Sequence, residues 1–111
     1  MNILFLCTAN RNRSKTAEVY LSKIYPSHDI RSAGLSIKLC AKENTTLATI
    51  EMLEWADKIF VMEDMHIERI HKHSTMNFDE KLVNIDIPDI YIYMQKELVE
   101  LLLDRVSIEL I

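Results

Sequence analysis

The sequence is poor in glycine, cysteine and proline: its 111 residues include one Gly, two Cys and two Pro. Two cysteines are too few for a disulfide framework. No apolar run approaches the roughly eighteen residues of a membrane span, and the first residues show no charged leader with a cleavage site. We therefore expect a cytoplasmic protein with no membrane partner. The net charge of −4 argues against a general nucleic-acid binder.

What the sequence does contain is apolar residues, which make up 49% of the chain and argue against disorder. Its length suits one core, so we expect residues 1–111 to form a single domain. Strand and helix patterns alternate, which predicts an α/β fold: three layers, with a four-stranded parallel sheet flanked by helices. The predicted strands are Asn2–Leu6, His28–Ala33, Lys58–Met62 and Lys81–Ile87. The predicted helices are Arg13–Ile24, Asn44 or Thr45 to Trp55, Asp64 to His71 or Lys72, and Met94–Leu110, with Leu35–Glu43 as loop.

The first predicted strand ends at a cysteine that is followed, after five residues, by Arg13 and Ser14 at the start of a helix. This order places Cys7 beside a guanidinium and a helix N-terminus, which together favour a thiolate nucleophile and a bound phosphate. Arg13 can grip two phosphate oxygens through its planar fork. Ser14 can donate a hydrogen bond to the sulfur. The sequence predicts a site that attacks a phosphate ester through sulfur.

The loop itself supplies the expected phosphate-binding groups. They are Thr8, Ala9, Asn10, Arg11, Asn12, Arg13 and Ser14. Such loops often need a positive φ angle, and no glycine is present here to adopt it. Asn10 tolerates the left-handed region better than most residues, so we expect it to take that conformation. The plainer interpretation is that Cys7 is a small buried hydrophobe and that the spacing to Arg13 is chance.

Two carboxylates follow the fourth predicted strand, Asp86 and Asp89. The carboxyl ends of parallel strands meet at one edge of a sheet, so either can approach Cys7. A general acid there would protonate the leaving oxygen. From the residues alone, Asp86 and Asp89 remain alternatives for this role. Both residues also suit an ordinary solvated turn.

These motifs resemble the low-molecular-weight protein tyrosine phosphatase family. Its loop runs Cys-x-Gly-Asn-x-Cys-Arg-Ser, which matches Cys7, Asn10, Arg13 and Ser14. Two further segments resemble the Ser-Ala-Gly second strand and the Asp-Pro-Tyr general-acid loop of that family: Ser32-Ala33-Gly34 and Ile87-Pro88-Asp89-Ile90-Tyr91. The resemblance implies the same fold, Cys7, Arg13 and Asp89 as catalytic residues, and phosphotyrosine as the substrate.

The chain also departs from that family pattern. Ala9 replaces the glycine of the loop, Asn12 the second cysteine and Lys15 the proline. Between Gly34 and Trp55 the chain is shorter than usual, so a helix that supplies part of the substrate wall, and a histidine that braces the loop asparagine, are expected to be missing. Ser32 resembles another residue of that brace.

We therefore expect hydrolysis of a phosphomonoester through a phosphocysteine, with a phosphorylated protein or a small aryl phosphate as partner, and with no metal or cofactor. Two alternatives are a catalytically silent module that binds phosphate or a phosphoprotein, and a carrier that accepts a phosphoryl group on Cys7. The spacing of His66, His71 and His73 does not match a zinc site, so we expect surface histidines. Tyr91 and Tyr93 are expected either to stack on a substrate ring or to pack at the sheet edge.

Overall fold

A computed structural model describes residues 1–110 and contains one four-stranded, all-parallel sheet. The strands, arranged in the order β2-β1-β3-β4, are β1 (Asn2–Cys7), β2 (Asp29–Gly34), β3 (Lys58–Val61) and β4 (Leu82–Asn84). The helices are α1 (Arg13–Ile24), α2 (Ile37–Glu43), α3 (Ile50–Trp55), α4 (Asp64–His73) and α5 (Lys96–Leu110), and a short 3-10 turn, Asp79–Lys81, precedes β4. This architecture confirms the predicted α/β fold with a parallel sheet between helices.

Strand β1 is central because it pairs with β2 on one side and β3 on the other. Its side chains alternate between the two faces of the sheet, as the pleat requires. Ile3 and Phe5 enter a core with helices α1 and α5, whereas Leu4 and Leu6 enter a second core with α3 and α4. All four side chains are fully buried, which explains why the segment reads as a continuous apolar run.

The strand order reverses at β1, since the chain moves outward to β2 and then returns to the opposite side for β3. In open parallel sheets, ligands bind beyond the carboxyl ends of the strands at this reversal. Cys7 is the last residue of β1 and therefore lies at that point. Among residues 1–110, no helix is both long and apolar enough to cross a membrane.

The segment Leu35–Glu43, which we expected to be loop, contains helix α2. The Ser36 side chain caps it by accepting a hydrogen bond from the Leu39 N–H at 3.1 Å. This helix buries one residue, Cys40, and leaves Ile37 72% exposed. It therefore lacks the apolar stripe by which a helix is recognised in a sequence.

The next helix was expected to run from Asn44 or Thr45 to Trp55, and the predicted start is wrong. Helix α3 begins at Ile50, after Thr49 accepts a hydrogen bond from the Met52 N–H at 3.2 Å. The preceding residues are extended and pair with Gly34, whose N–H donates to the Thr46 carbonyl at 2.8 Å. That pairing replaces the helical hydrogen bonds of the segment.

Other element ends differ from the expectations by a few residues. Strand β4 stops at Asn84, and two residues later Asp86 has a φ of 53°, which breaks the extended backbone. Helix α4 is capped by Glu63 rather than Asp64 and extends to His73. Helix α5 begins at Lys96, two residues after the expected Met94.

Gly34, the one glycine, closes β2 where three segments meet. A Cβ atom there would lie 2.5 Å from Cys40 Sγ, 2.8 Å from the Thr8 carbonyl oxygen and 2.9 Å from the Asn10 nitrogen. Gly34→Ala is therefore expected to destabilise the protein by about 1–3 kcal/mol, the usual cost of overpacking a core. Urea unfolding followed by circular dichroism measures this change.

The second substitution Cys40→Ala separates the sources of that strain. It removes the sulfur and leaves the two backbone contacts, so the Gly34→Ala/Cys40→Ala protein should regain only part of the loss attributable to Gly34→Ala. Full recovery would show that the backbone around Thr8 and Asn10 yields freely, contrary to the prediction.

Candidate active site

A pocket of about 220 Å³ opens at the carboxyl end of β1, between the loop of residues 8–12 and the segment after β4. Its lining includes Cys7 and much of the loop, together with residues from two more distant segments. The lining residues are Cys7, Thr8, Ala9, Arg11, Asn12, Arg13, Leu39, Glu43 and Asp89. The structure thus brings together the three catalytic residues predicted from the sequence.

Cys7 lies at the floor of this pocket, is only 3% exposed and has Ser14 beside it. Ser14 Oγ is 3.0 Å from Cys7 Sγ and 3.4 Å from the Ala33 carbonyl. A serine hydroxyl has one proton, and the shorter contact is to the sulfur. Ser14 is therefore placed to donate to a Cys7 thiolate.

Asn10 holds the loop from beneath. Its φ of 53° confirms the expected left-handed conformation. Its Nδ2 group donates to Ser14 Oγ at 2.8 Å and to Ser32 Oγ at 2.9 Å. Ser32 in turn donates to Glu18 Oε1 at 2.8 Å. This chain of hydrogen bonds fixes the loop backbone and orients the Ser14 hydroxyl.

Not every residue of the predicted phosphate-binding set faces the pocket. Asn10 and Ser14 are buried behind the loop and do not line the pocket, so their side chains act on its shape. The other five residues of the set line the pocket directly. Helix α1 begins at Arg13, which lines the pocket, so the N–H groups of its first turn lie beside the pocket at the end of the loop.

The Arg13 guanidinium is only 2% exposed and is held from two directions. Its Nη1 donates to Glu63 Oε2 at 2.6 Å and to the Ile87 carbonyl at 2.8 Å. Its Nε lies 3.7 Å from Asp89 Oδ1. These contacts occupy one terminal nitrogen and leave the other, Nη2, to meet an anion.

The two candidate carboxylates are separated by the structure. Asp89 lines the pocket with Cys7, and its side chain is 64% exposed. Asp86 lies in a different groove, beside Asp104 and Arg105. Its backbone carbonyl accepts a hydrogen bond from the Arg105 guanidinium, which anchors the turn. Geometry therefore favours Asp89 for chemistry at Cys7.

The expectation of three surface histidines is wrong for His66, which is fully buried. Its Nε2 lies 3.0 Å from Thr8 Oγ1, and its Nδ1 accepts from the Glu63 N–H at 3.2 Å. Burial, and secondly the nearby Arg13 charge, lower the pKa of His66 to about 4. His71 and His73 are exposed, as expected. Within residues 1–110, no group of three His, Cys, Asp or Glu residues could hold a metal ion.

The shortened middle of the chain still supplies a wall for the pocket. Leu39 and Glu43 of α2 line the pocket, and Glu43 Oε1 is 3.5 Å from Arg11 Nη1. Thr46 N–H lies 3.4 Å from Asn10 Oδ1, so this segment also contributes to the brace beneath the loop. The loss of a longer segment therefore does not leave the site open on this side.

The two tyrosines near Asp89 do not line this pocket. Tyr91 packs against the core beneath α1 and α5, as the sheet-edge alternative expected. Tyr93 faces a neighbouring groove that it shares with Arg11 and Lys15. The large apolar side chain that lines this pocket is that of Leu39.

Sequence reasoning missed Glu63 and His66. Glu63 follows β3 closely, so the rule that strand ends meet at one edge could have placed it beside Cys7. His66 gave no comparable signal, because its contact with Thr8 joins residues 58 positions apart.

Comparison with known proteins finds a relative in Klebsiella pneumoniae that is assigned as a low-molecular-weight protein-tyrosine-phosphatase. It is 33% identical over 113 aligned positions, which cover 80% of this chain and 78% of the relative. No protein-family model matches the chain.

Solved structures share the fold at lower identity. Wzb of Vibrio vulnificus, in complex with benzylphosphonate, superposes with a TM-score of 0.78 at 23% identity, covering 97% of this chain and 95% of its own. The low-molecular-weight protein tyrosine phosphatase of Streptococcus pyogenes gives 0.79 at 19% identity, covering 98% and 90%. The YwlE arginine phosphatase of Geobacillus stearothermophilus gives 0.72 at 24% identity, covering 98% and 92%.

The lowered pKa of His66 predicts a specific pH dependence of stability. His66 stays neutral in the folded protein down to about pH 4, whereas in the unfolded chain it binds a proton near its ordinary pKa of 6.5. Its contribution to stability is therefore complete above pH 6.5 and is lost as the pH falls to about 4, at up to about 1.4 kcal/mol per pH unit. Urea unfolding of the wild type and of His66→Asn between about pH 4 and pH 8 measures the difference.

The wild type should lose stability relative to His66→Asn across that interval and not above it. His73→Asn, which removes an exposed histidine of the same helix, serves as the control and should follow the wild type. A constant difference between wild type and His66→Asn at all pH values would contradict the prediction.

Proposed function

Since this chain belongs to the low-molecular-weight protein tyrosine phosphatase family, we propose that it hydrolyses phosphotyrosine through a phosphocysteine formed on Cys7. The observation that carries the proposal is the contact of 3.0 Å between Cys7 Sγ and Ser14 Oγ at the floor of a pocket that Arg13 and Asp89 also line. A hydroxyl that donates to the sulfur stabilises the thiolate before attack and again when sulfur leaves.

In the first step the Cys7 thiolate attacks phosphorus in line, and the bond to the leaving oxygen breaks. Charge develops on the three equatorial phosphoryl oxygens, where the Arg13 Nη2 group and the N–H groups of the loop can donate hydrogen bonds. Asp89, at the pocket mouth, gives its proton to the leaving oxygen. In the second step Asp89 takes a proton from water, which attacks the phosphocysteine and releases phosphate.

Phosphotyrosine is proposed as the substrate because the Klebsiella pneumoniae relative, at 33% identity, is assigned as a tyrosine phosphatase. The arginine phosphatase shares the fold at 24% identity, which is weaker support for phosphoarginine. In this chain the Leu39 side chain, on the wall of the pocket, offers the apolar surface that a tyrosine ring would contact.

The alternative of a silent binding module is less well supported. It assumed that the shortened middle of the chain had removed the substrate wall, whereas Leu39 and Glu43 provide one. The carrier alternative requires a long-lived phosphocysteine, and the position of Asp89 beside the pocket favours its hydrolysis instead.

Replacing the nucleophile tests the phosphocysteine. Cys7→Ser should lower turnover of a phosphotyrosine peptide on the order of 10³-fold or more, because a serine hydroxyl is a much weaker nucleophile than a thiolate. A YwlE variant with serine in place of cysteine carries a phosphorylated active-site serine. We therefore expect Cys7→Ser to accumulate one phosphoryl group, detected by mass spectrometry of the intact protein.

Cys7→Ala is the matched control, since it keeps the fold and has no nucleophilic atom; it should accumulate no phosphoryl group. Near-normal turnover by either variant would exclude the proposed nucleophile. If the wild type hydrolyses a phosphoarginine peptide faster than the phosphotyrosine peptide, the proposed substrate is wrong, and the proposed mechanism is not contradicted.

The general acid is tested by the leaving group. Asp89→Asn should slow phenyl phosphate hydrolysis by about 10²-fold or more and nitrophenyl phosphate hydrolysis much less, because a good leaving group departs without a proton. Steady-state kcat for both substrates gives the ratio.

Asp86→Asn is the matched control, as it changes the other carboxylate of the same segment and should show little dependence on the leaving group. If Asp86→Asn shows the dependence and Asp89→Asn does not, the acid has been assigned to the wrong residue.

A further inference from the structure

His66 forms hydrogen bonds to two separate segments of the site. Its ring lies between the phosphate-binding loop, through Thr8, and the start of α4, through the Glu63 backbone. It is fully buried, and the steps of the reaction make no use of it. A buried histidine with both ring nitrogens engaged has a fixed orientation and a definite tautomer.

The tautomer follows from the partners. Glu63 N–H can only donate, so His66 Nδ1 is an acceptor and carries no proton. In a neutral imidazole the proton is then on Nε2, which donates to Thr8 Oγ1 across 3.0 Å. The hydroxyl of Thr8 thus receives a hydrogen bond and keeps its own proton to give.

The position of Thr8 determines where that proton can go. Thr8 directly follows Cys7 and lines the same pocket. Within residues 1–110, His66 is the hydrogen-bond partner of its hydroxyl. Because Thr8 lines the pocket, its hydroxyl proton can be donated to an anion that binds there.

We propose that His66 is a positioning residue that orients the Thr8 hydroxyl to donate a hydrogen bond to a phosphoryl oxygen of the bound substrate. The inference rests on the proposed function, since it assigns a further ligand to the same phosphoryl group. Thr8 would act alongside Arg13 and the loop N–H groups, and His66 would act only through Thr8.

Burial of the ring keeps it neutral, and this arrangement intact, at working pH. The charges of Arg13 on α1 and Arg69 on α4 lower the pKa of His66, whereas those of Glu63 and Asp89 raise it. Burial lowers this pKa more than any one of the four charges changes it. A protonated ring would turn an N–H against the Glu63 N–H and break that contact. The pKa of about 4 therefore keeps Nδ1 an acceptor in the range where the enzyme would work.

Two substitutions of His66 separate its contacts, because amide side chains reproduce one ring nitrogen each. In His66→Asn an amide oxygen sits where Nδ1 was and can accept from Glu63 N–H, while the donor to Thr8 is lost. In His66→Gln the amide nitrogen reaches the place of Nε2 and can donate to Thr8, while the acceptor for Glu63 is lost. The measurements are the Kd for inorganic phosphate by calorimetry, kcat/KM for nitrophenyl phosphate and Tm.

His66→Asn should weaken phosphate binding by about tenfold and lower kcat/KM at least as much, with little change in Tm. His66→Gln should keep phosphate affinity near that of the wild type and lower Tm. Equal losses of phosphate affinity in the two variants would overturn the proposal, because a merely structural role does not distinguish them. His73→Asn, on the exposed side of the helix, should match the wild type in all three measurements.

Substitution of Thr8 tests whether His66 acts through it. Thr8→Val replaces the hydroxyl with a methyl of similar size and should also weaken phosphate binding by about tenfold, whereas Thr8→Ser should restore it. Adding His66→Asn to Thr8→Val should produce no further loss. Additive losses, or unchanged phosphate affinity in Thr8→Val, would overturn the proposal. Phosphate affinity decides these outcomes even if the wild type hydrolyses no aryl phosphate, which would instead count against the proposed function.

Discussion

The constraint on which the structure depends is the burial of the Arg13 guanidinium. A buried cation is costly unless its hydrogen bonds and its charge are matched. The matching groups come from distant parts of the chain: Glu63 after β3, and the Ile87 carbonyl and Asp89 after β4. Because all of them must converge on one side chain, the burial of Arg13 fixes the loops at the carboxyl edge of the sheet. The fold and the candidate active site therefore depend on the same charge.

The two carboxylates beside Arg13 are held differently, which suits different roles. Glu63 contacts Arg13 at 2.6 Å and its side chain is 34% exposed, and it also caps α4. Asp89 lies at 3.7 Å with a side chain that is 64% exposed. The short contact holds the Glu63 carboxylate and the Arg13 guanidinium in fixed positions relative to each other. Asp89 is held less tightly and faces solvent at the pocket, where it can contact a bound molecule.

The sequence was sufficient to predict the parallel sheet, because buried strands such as β1 are continuous apolar runs and their carboxyl ends share an edge. The same rule predicted that Asp86 and Asp89 lie near Cys7, and the family resemblance selected Asp89. Prediction from the sequence failed where the local pattern carries little information: α2 buries only Cys40, and its start depends on a Ser36 cap. His66 was missed because its contact with Thr8 joins residues 58 positions apart, which no local periodicity encodes.

The brace beneath the loop shows how the loop of residues 8–12 keeps its conformation without a glycine. Asn10 takes the left-handed backbone, a strain of about 1–3 kcal/mol for a non-glycine residue. Its side chain returns hydrogen bonds to Ser14 and Ser32, and its Oδ1 lies 3.4 Å from the Thr46 N–H. The segment that includes Thr46 pairs with Gly34, so the brace is built from backbone that the sheet already fixes. A histidine from a longer middle region is therefore unnecessary: Asn10 Nδ2 donates to two serine hydroxyls, and its Oδ1 accepts from one backbone amide.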